Sequence, residues 1–202
     1  TLLYAQVSEG FRLGKGQLLP QLDQCDVNND GLLDHTEGVL TTRVDADTTE
    51  NFELGGKFTL LDNRLTLNTA IFRVDWSNLP VNITNTTDAC SGTTGITNNL
   101  GEATSEGVEL EGSFAVTADL LVNFSAAYMD TELTETRTAF GELGEALPFA
   151  PQSSASLGVQ YDFEFADYPS FVRADVSYVG EYENGFKSSN YATSGDYTKI
   201  NL

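Results

Sequence analysis

Gly107-Val-Glu-Leu-Glu-Gly-Ser-Phe-Ala-Val116, then Thr117-Ala118-Asp119, then Leu120-Leu-Val-Asn-Phe-Ser-Ala-Ala-Tyr128 is the stretch that decides the fold. Val108, Leu110, Phe114 and Val116 share one parity, and Glu109, Glu111 and Ser113 occupy the other. After the intervening turn the pattern resumes, with Leu120, Val122, Phe124, Ala126 and Tyr128 opposite Asn123 and Ser125. A period of two marks a strand whose faces meet different surroundings, whereas a helix would repeat at 3.6. Two such runs joined by a short polar turn predict an antiparallel hairpin.

The same parity extends along the chain. Phe52, Leu54, Phe58 and Leu60 lie opposite Glu53 and Lys57. Ala155, Leu157, Val159, Tyr161 and Phe163 lie opposite Ser154, Ser156, Gln160 and Asp162. Val172, Ala174, Val176 and Tyr178 lie opposite Arg173, Asp175 and Ser177. Leu65 to Trp76 departs from this: its apolar parity changes near Thr69-Ala70, which predicts either a bulge or a change in what each face meets.

Alternation alone also fits a soluble sandwich, so the connections carry the distinction. Leu61-Asp62-Asn63-Arg64 and Thr117-Ala118-Asp119 are tight turns, and Glu164 to Pro169 is slightly longer. Leu13 to Glu50, Ser77 to Gly101, Thr131 to Pro151 and Glu181 to Asp196 are long and polar. Short and long connections alternate strictly, so an up-and-down meander places all short turns at one rim and all long loops at the other. Outer-membrane barrels have this asymmetry, with short periplasmic turns and long extracellular loops; Greek-key sandwiches do not sort their loops this way. The aromatics suggest two girdles: Phe58, Phe114, Phe163 and Phe171 near the short turns, and Phe52, Trp76, Tyr128 and Tyr178 near the long loops. The expected fold is all-β, an antiparallel meander of about eight strands by the alternation criterion, forming an open section of a large transmembrane barrel.

Composition agrees. The 202 residues carry 10 Lys and Arg against 30 Asp and Glu, a net charge of −20. A chain so acidic would repel nucleic-acid phosphates, so no nucleic-acid partner is expected. With 12 Phe and 8 Tyr recurring in ordered patterns it does not read as disordered. No run of 18 apolar residues is present, but a transmembrane strand needs only ~9–11 residues.

Several segments resemble, in order and spacing, the C-terminal half of the barrel of TonB-dependent receptors. They are Tyr4 to Arg12, Asn51 to Lys57, Leu61 to Leu67, Ile71 to Trp76, Gly101-Glu-Ala-Thr-Ser-Glu-Gly107-Val-Glu109-Leu-Glu111, Leu147 to Pro151, Ala155 to Gly158, and Phe171 to Gly180. The resemblance implies a barrel of about 22 strands plugged by a separate N-terminal domain. Residues 1–202 are then expected to be a partial barrel domain, without plug, energy-coupling box or closing strand. It further implies outer-membrane lipid as surroundings, TonB as a partner through the plug, and a small-molecule ligand such as a siderophore, cobalamin or carbohydrate. A passive porin-type channel is the alternative, and a secreted calcium-stabilised binding β-domain a further one. No catalytic residue is expected. Glu109 and Glu111 could suggest a glycosidase pair, but i and i+2 carboxylates on one strand face are ordinary in a barrel wall, and no nucleophile–base set accompanies them.

One motif stands apart from the strands. Asp26-Val-Asn28-Asn-Asp30-Gly31-Leu32-Leu-Asp34-His-Thr-Glu37 matches the EF-hand spacing D-x-[DN]-x-[DN]-G-x5-E. Calcium takes six to eight hard oxygens at ~2.3–2.6 Å. Asp26, Asn28 and Asp30 would supply side-chain oxygens, Leu32 its carbonyl, Asp34 a direct or water-borne ligand, and Glu37 a closing bidentate carboxylate. Gly31 permits the sharp turn. The other reading is a Gly/Asn/Asp-rich loop that holds no metal. With no second loop and no flanking amphipathic helices, the expected site (residues 26–37) resembles a structural dockerin-like loop rather than a sensor. His35 is not at a ligand position. Cys25 precedes the motif and Cys90 sits in the next long loop. They admit one disulfide, or two unpaired thiols, in an oxidising exterior. Asn82-Ile-Thr84 and Asn85-Thr-Thr87 read as glycosylation sequons but equally as Thr/Asn-rich loop.

Overall fold

The computed structural model describes residues 1–17, 43–83, 96–136, 141–187 and 191–202. The calcium motif at 26–37, Cys25, Cys90 and the second sequon lie outside them. Among the described residues all regular structure is strand. In chain order these are β1 (Leu2–Arg12), β2 (Lys15–Gly16), β3 (Arg43–Val44), β4 (Asp47–Leu60), β5 (Leu65–Ile83), β6 (Ile96–Ala115), β7 (Leu120–Thr136), β8 (Ser153–Phe165), β9 (Tyr168–Val179), β10 (Tyr182–Glu183), β11 (Thr193–Ser194) and β12 (Tyr197–Asn201). Eight of them form one sheet in the order β1-β4-β5-β6-β7-β8-β9-β12, while β2-β3 and β10-β11 are small ribbons in the long connections. The sheet is an antiparallel meander with β1 and β12 as its two edges.

The register shows why the chain alternates. One cross-strand row reads Lys57, Asn68, Glu111, Ser125, Ser156, Ser177, Lys199. The next row along the strands reads Phe58, Leu67, Gly112, Phe124, Leu157, Val176, Ile200. A single residue step therefore exchanges a wholly polar row for an apolar one, and any register slip would invert both. At Gly112 a Cβ would lie 2.4 Å from Cζ of Phe124; the glycine lets that ring cover the backbone of its neighbour strand.

No second layer covers the apolar face among the described residues. Among the described residues the buried hydrophobic side chains are only Val44, Leu79, Ala103 and Leu133. Leu54 (56%), Ile71 (53%), Val108 (49%) and Val172 (56%) are each about half exposed. A water-soluble sandwich would have buried these against a facing sheet, which the described residues do not supply. Leu120 to Tyr128 rises about 27 Å at ~3.4 Å per residue, which at a tilt of ~40° gives roughly 20 Å of depth, near the ~25 Å apolar band of outer-membrane barrels. The polar face is the concave one: Tyr4, Glu53, Asn68, Glu109, Ser125 and Ser154, from β1, β4, β5, β6, β7 and β8, line one shared groove.

One open alternative is decided and two expectations need correction. The parity change near Thr69-Ala70 is not a bulge, because β5 keeps register with β4 and β6 from Leu65 to Trp76 and shifts only between Trp76, Leu79 and Pro80. The outer row of β5 passes from Leu65, Leu67 and Ile71 to Arg73 and Asp75. There the strand rises out of hydrocarbon, and Arg73 pairs with Asp75 at 3.0 Å and Glu106 at 3.4 Å. Phe72, Val74 and Trp76 belong to the inner face. Trp76 is thus no girdle residue, and neither is Phe171, which shares parity with Arg173 and Asp175. Tyr161 and Phe163, stacked at 6.2 Å, fill the lower girdle with Phe165 and Tyr168. Third, Glu164 to Pro169 closes more tightly than expected. Phe165 pairs directly with Tyr168, and Ala166 (φ 49°) and Asp167 (φ 64°) form a two-residue left-handed turn that matches the strand twist.

The long connections are shorter than the alternation suggests, since β5 and β6 continue as a paired ribbon to Ile83 and Ile96. The short turns are held by side chains. The Thr117 hydroxyl accepts from the Leu120 N–H at 3.0 Å, and the Arg64 guanidinium reaches the carbonyls of Leu61 and Val116 at 3.4 and 3.5 Å.

Val159 and Gln160 are neighbours on opposite faces. Val159→Lys in the intact protein should destabilise the barrel by ~2–4 kcal/mol, and Gln160→Lys by well under half of that. Urea titration of heat-modifiable gel mobility in vesicles checks this; equal losses would mean that both faces meet similar surroundings.

Candidate functional site: lumen wall and extracellular rim

The inner face is a wall of side chains bonded to one another. A Cβ at Gly55 would lie 2.3 Å from Cζ of Tyr4, so the glycine admits the Tyr4 ring across β4, and the Tyr4 hydroxyl donates to Glu53. Asn68 Nδ2 donates to Glu111 Oε1 at 2.7 Å, and the Ser125 and Ser156 hydroxyls are 2.8 Å apart. Lower down, Gln160 Nε2 donates to Asp162 at 3.0 Å and Arg173 Nη2 to Asp175 at 2.7 Å. Glu109 and Glu111 both face the groove of about 250 Å³. Glu111 is engaged by Asn68, as a wall carboxylate is. Such a surface wets, and offers acceptors to water.

The rim is built differently. At the upper ends of β1, β4 and β5, Arg12 Nε donates to both Asp47 oxygens at 3.0 Å and Nη2 to Oδ2 at 2.6 Å. Trp76 Nε1 donates to the same Oδ2 at 2.8 Å, and the guanidinium carbon stands 5.3 Å from the indole centre. Trp76 also packs on a small core of Leu79, Ala103 and Leu133, joined by Val81 and Leu147. Asp47 is nearly enclosed, whereas Arg12 is 61% exposed. Burial pushes the Asp47 carboxyl up, but the Arg12 hydrogen bonds, the Trp76 indole and the Arg12 charge together outweigh it and hold the carboxyl below its ordinary value.

Side-chain amides fasten the base of the β1–β4 connection to the β5–β6 ribbon. Gln17 Nε2 donates to the Thr97 carbonyl at 2.7 Å, and its Oε1 accepts from the Thr97 N–H at 3.0 Å. Asn99 Oδ1 accepts from the Asp45 N–H at 2.7 Å, and its Nδ2 donates to the carbonyls of Asp45 and Asn78 at 3.1 and 2.7 Å. Asn78, at φ 58°, sits in the register break. Both ends of the connection that carries the 26–37 motif are therefore anchored, at Gln17 and at Asp45–Asp47. Sequence reading missed Arg12, Asp47, Gln17 and Asn99, since isolated polar residues in a polar loop carry no periodic signal. The only hint was the parity change that brings Trp76 inward.

Asp47→Asn should loosen this anchor by about 1–2 kcal/mol, a charged hydrogen bond discounted for the exposure of Arg12. Because the folded Asp47 is more acidic than its ordinary value of 3.8, its contribution is complete above that pH and disappears as pH falls through the lower folded value. Protease susceptibility of the β1–β4 base should thus rise on acidification in the parent and be already high and less pH-dependent in Asp47→Asn.

Comparison with known proteins agrees with this geometry. The family model for the β-barrel of TonB dependent receptor-like proteins matches residues 1–202. The probable TonB-dependent siderophore receptor PiuA of Acinetobacter baumannii is 31% identical over 127 residues, 58% of this chain and 16% of that protein. The metal-pseudopaline receptor CntO of Pseudomonas aeruginosa is 30% identical over 159 residues, 78% of this chain and 21% of that protein. The chain thus spans a fifth or less of the length of these curated relatives, to within a percentage point. In structure, the ferric yersiniabactin uptake receptor FyuA of Yersinia pestis superposes with a TM-score of 0.71 at 19% identity, covering 98% of this chain and 26% of the receptor. The ferric preacinetobactin receptor BauA of A. baumannii gives 0.68 at 17% identity, covering 98% and 26%. These likenesses show the same sheet. With a polar concave wall, a bare apolar exterior and a family match along its whole length, the chain belongs to the TonB-dependent receptor β-barrel family of the bacterial outer membrane.

Proposed function

We propose that this chain is barrel wall in a receptor that imports a scarce, metal-chelating solute with energy delivered through TonB. The observation that carries the reading is the family match over residues 1–202. Relatives named as siderophore and metal-pseudopaline receptors support a metal chelate as cargo. The polar row from Lys57 to Lys199 supports a wetted interior in which a separate plug domain is seated. A porin would share the wall but need no coupling partner. The test is uptake of radiolabelled ferric and zinc chelates by cells carrying or lacking the intact receptor, each with and without TonB. Uptake that needs both supports the reading; receptor-dependent uptake that persists without TonB supports the channel.

The same reading includes a structural calcium site at residues 26–37. Its support is the ligand spacing of Asp26, Asn28, Asp30, Leu32, Asp34 and Glu37, with Gly31 at the turn. Four carboxylates, Asp26, Asp30, Asp34 and Glu37, repel one another in the absence of a cation, and calcium at the millimolar level outside cells suffices for a weak site. The Cys25–Cys90 disulfide would tie this loop to its neighbour. Calorimetry on the intact receptor should register calcium binding that Asp30→Ala abolishes and His35→Ala leaves unchanged. Absence of heat and of protease protection at millimolar calcium would reduce the motif to an acidic turn. Peptide mapping without reductant should recover Cys25 linked to Cys90.

A further inference from the structure

The mouth of the sheet holds a buried carboxylate that none of the roles above uses. Glu145, in the connection between β7 and β8, is 7% exposed, and its two oxygens point to different loops. Oε2 accepts from the N–H of Glu142 in its own loop at 2.9 Å. Oε1 accepts from the N–H of Lys187, in the connection between β9 and β12. The backbone around it is bonded to β7: the Leu133 N–H donates to the Glu145 carbonyl at 2.9 Å, and the Gly144 N–H to the Leu133 carbonyl at 2.8 Å. Gly144 makes that return possible, since its φ of +80° is disfavoured for residues with a Cβ. Leu133 beneath is 1% exposed.

Further contacts run between the same two loops. The Phe149 N–H donates to the Glu183 carbonyl at 2.7 Å, and the Phe149 and Tyr182 rings lie 6.4 Å apart. β7 and β9 are not neighbours in the sheet, for β8 lies between them. The two loops are nonetheless adjacent at the rim, because β8 leaves the first and β9 enters the second and these strands pair up to Ser154 and Val179; Glu145, whose backbone is bonded to Leu133 of β7, reaches Lys187 across that seam.

We propose that Glu145 is a latch that makes the β7–β8 and β9–β12 loops one mechanical unit, so that displacement of either by a ligand moves both. The chemistry favours a carboxylate here. It is acceptor-only, and both groups it must satisfy are N–H donors. A glutamine would offer one acceptor and one donor, leaving an N–H without a partner in a buried place. This inference holds for either transport reading, since it concerns only how the loops are joined.

Hydrogen exchange on the intact receptor in detergent tests it. Glu145→Gln should speed exchange about tenfold or more in both 141–149 and 181–187, while β6 stays protected and the barrel keeps its heat-modifiable mobility. The reciprocal variant acts from the other loop. Lys187→Pro removes the N–H that Glu145 accepts and should loosen 141–149, whereas Lys187→Ala retains it and should leave 141–149 as in the parent. Loosening confined to 141–149 in Glu145→Gln would overturn the latch. So would unchanged exchange of 141–149 in Lys187→Pro. Where Glu145→Gln does not assemble, the proline and alanine pair at 187 decides.

Discussion

A backbone N–H or C=O left without a partner in hydrocarbon costs several kcal/mol, and no water is present there to relieve it. Everything else in this chain follows from that constraint. Between the short turns and the rim, β5 to β8 answer it with ladders on both sides. Once the ladder is obligatory, side chains are confined to two faces with a period of two. The cross-strand rows then separate sharply: Lys57 to Lys199 is polar throughout, and the row beside it carries no polar side chain. Register and surroundings enforce each other.

Above the hydrocarbon the constraint relaxes, and the construction changes with it. β5 puts Arg73 and Asp75 on the face that held Leu67 and Ile71 lower down, and turns Trp76 toward Asp47 and the small core around Leu133. Where water competes for hydrogen bonds, the chain holds its loops with groups that make more than one bond at once: the charged Arg12–Asp47 fork, the two-ended Gln17 and Asn99 amides, and the Glu145 carboxylate. The rim is thus a joined surface, built on a wall that supplies rigidity.

The fold was legible because its cause is periodic. Val108 to Tyr128 repeats the alternation many times, and the contrast between Thr117-Ala118-Asp119 and the long polar stretches placed the two rims. What failed to show were features with no period. The change at Thr69-Ala70 had two readings, and only the unbroken pairing of Leu65 to Trp76 decides between them. Trp76 and Phe171 were assigned to girdles by height along the strand, but parity, not height, decides which face an aromatic meets. Arg12, Asp47 and Glu145 acquire their roles from partners 29 or more residues away, which no local pattern encodes. The 26–37 motif is the opposite case, a local spacing readable without any fold.

The apolar face of this sheet meets lipid and the polar face does not. Spin labels placed singly from Leu120 to Tyr128 in the intact receptor, reconstituted in vesicles, test it most directly. Leu120, Val122, Phe124, Ala126 and Tyr128 should be accessible to dissolved oxygen and shielded from a water-soluble nickel relaxant. Leu121, Asn123, Ser125 and Ala127 should be low in oxygen access. Uniform accessibility along the strand, or alternation in the opposite phase, would contradict it.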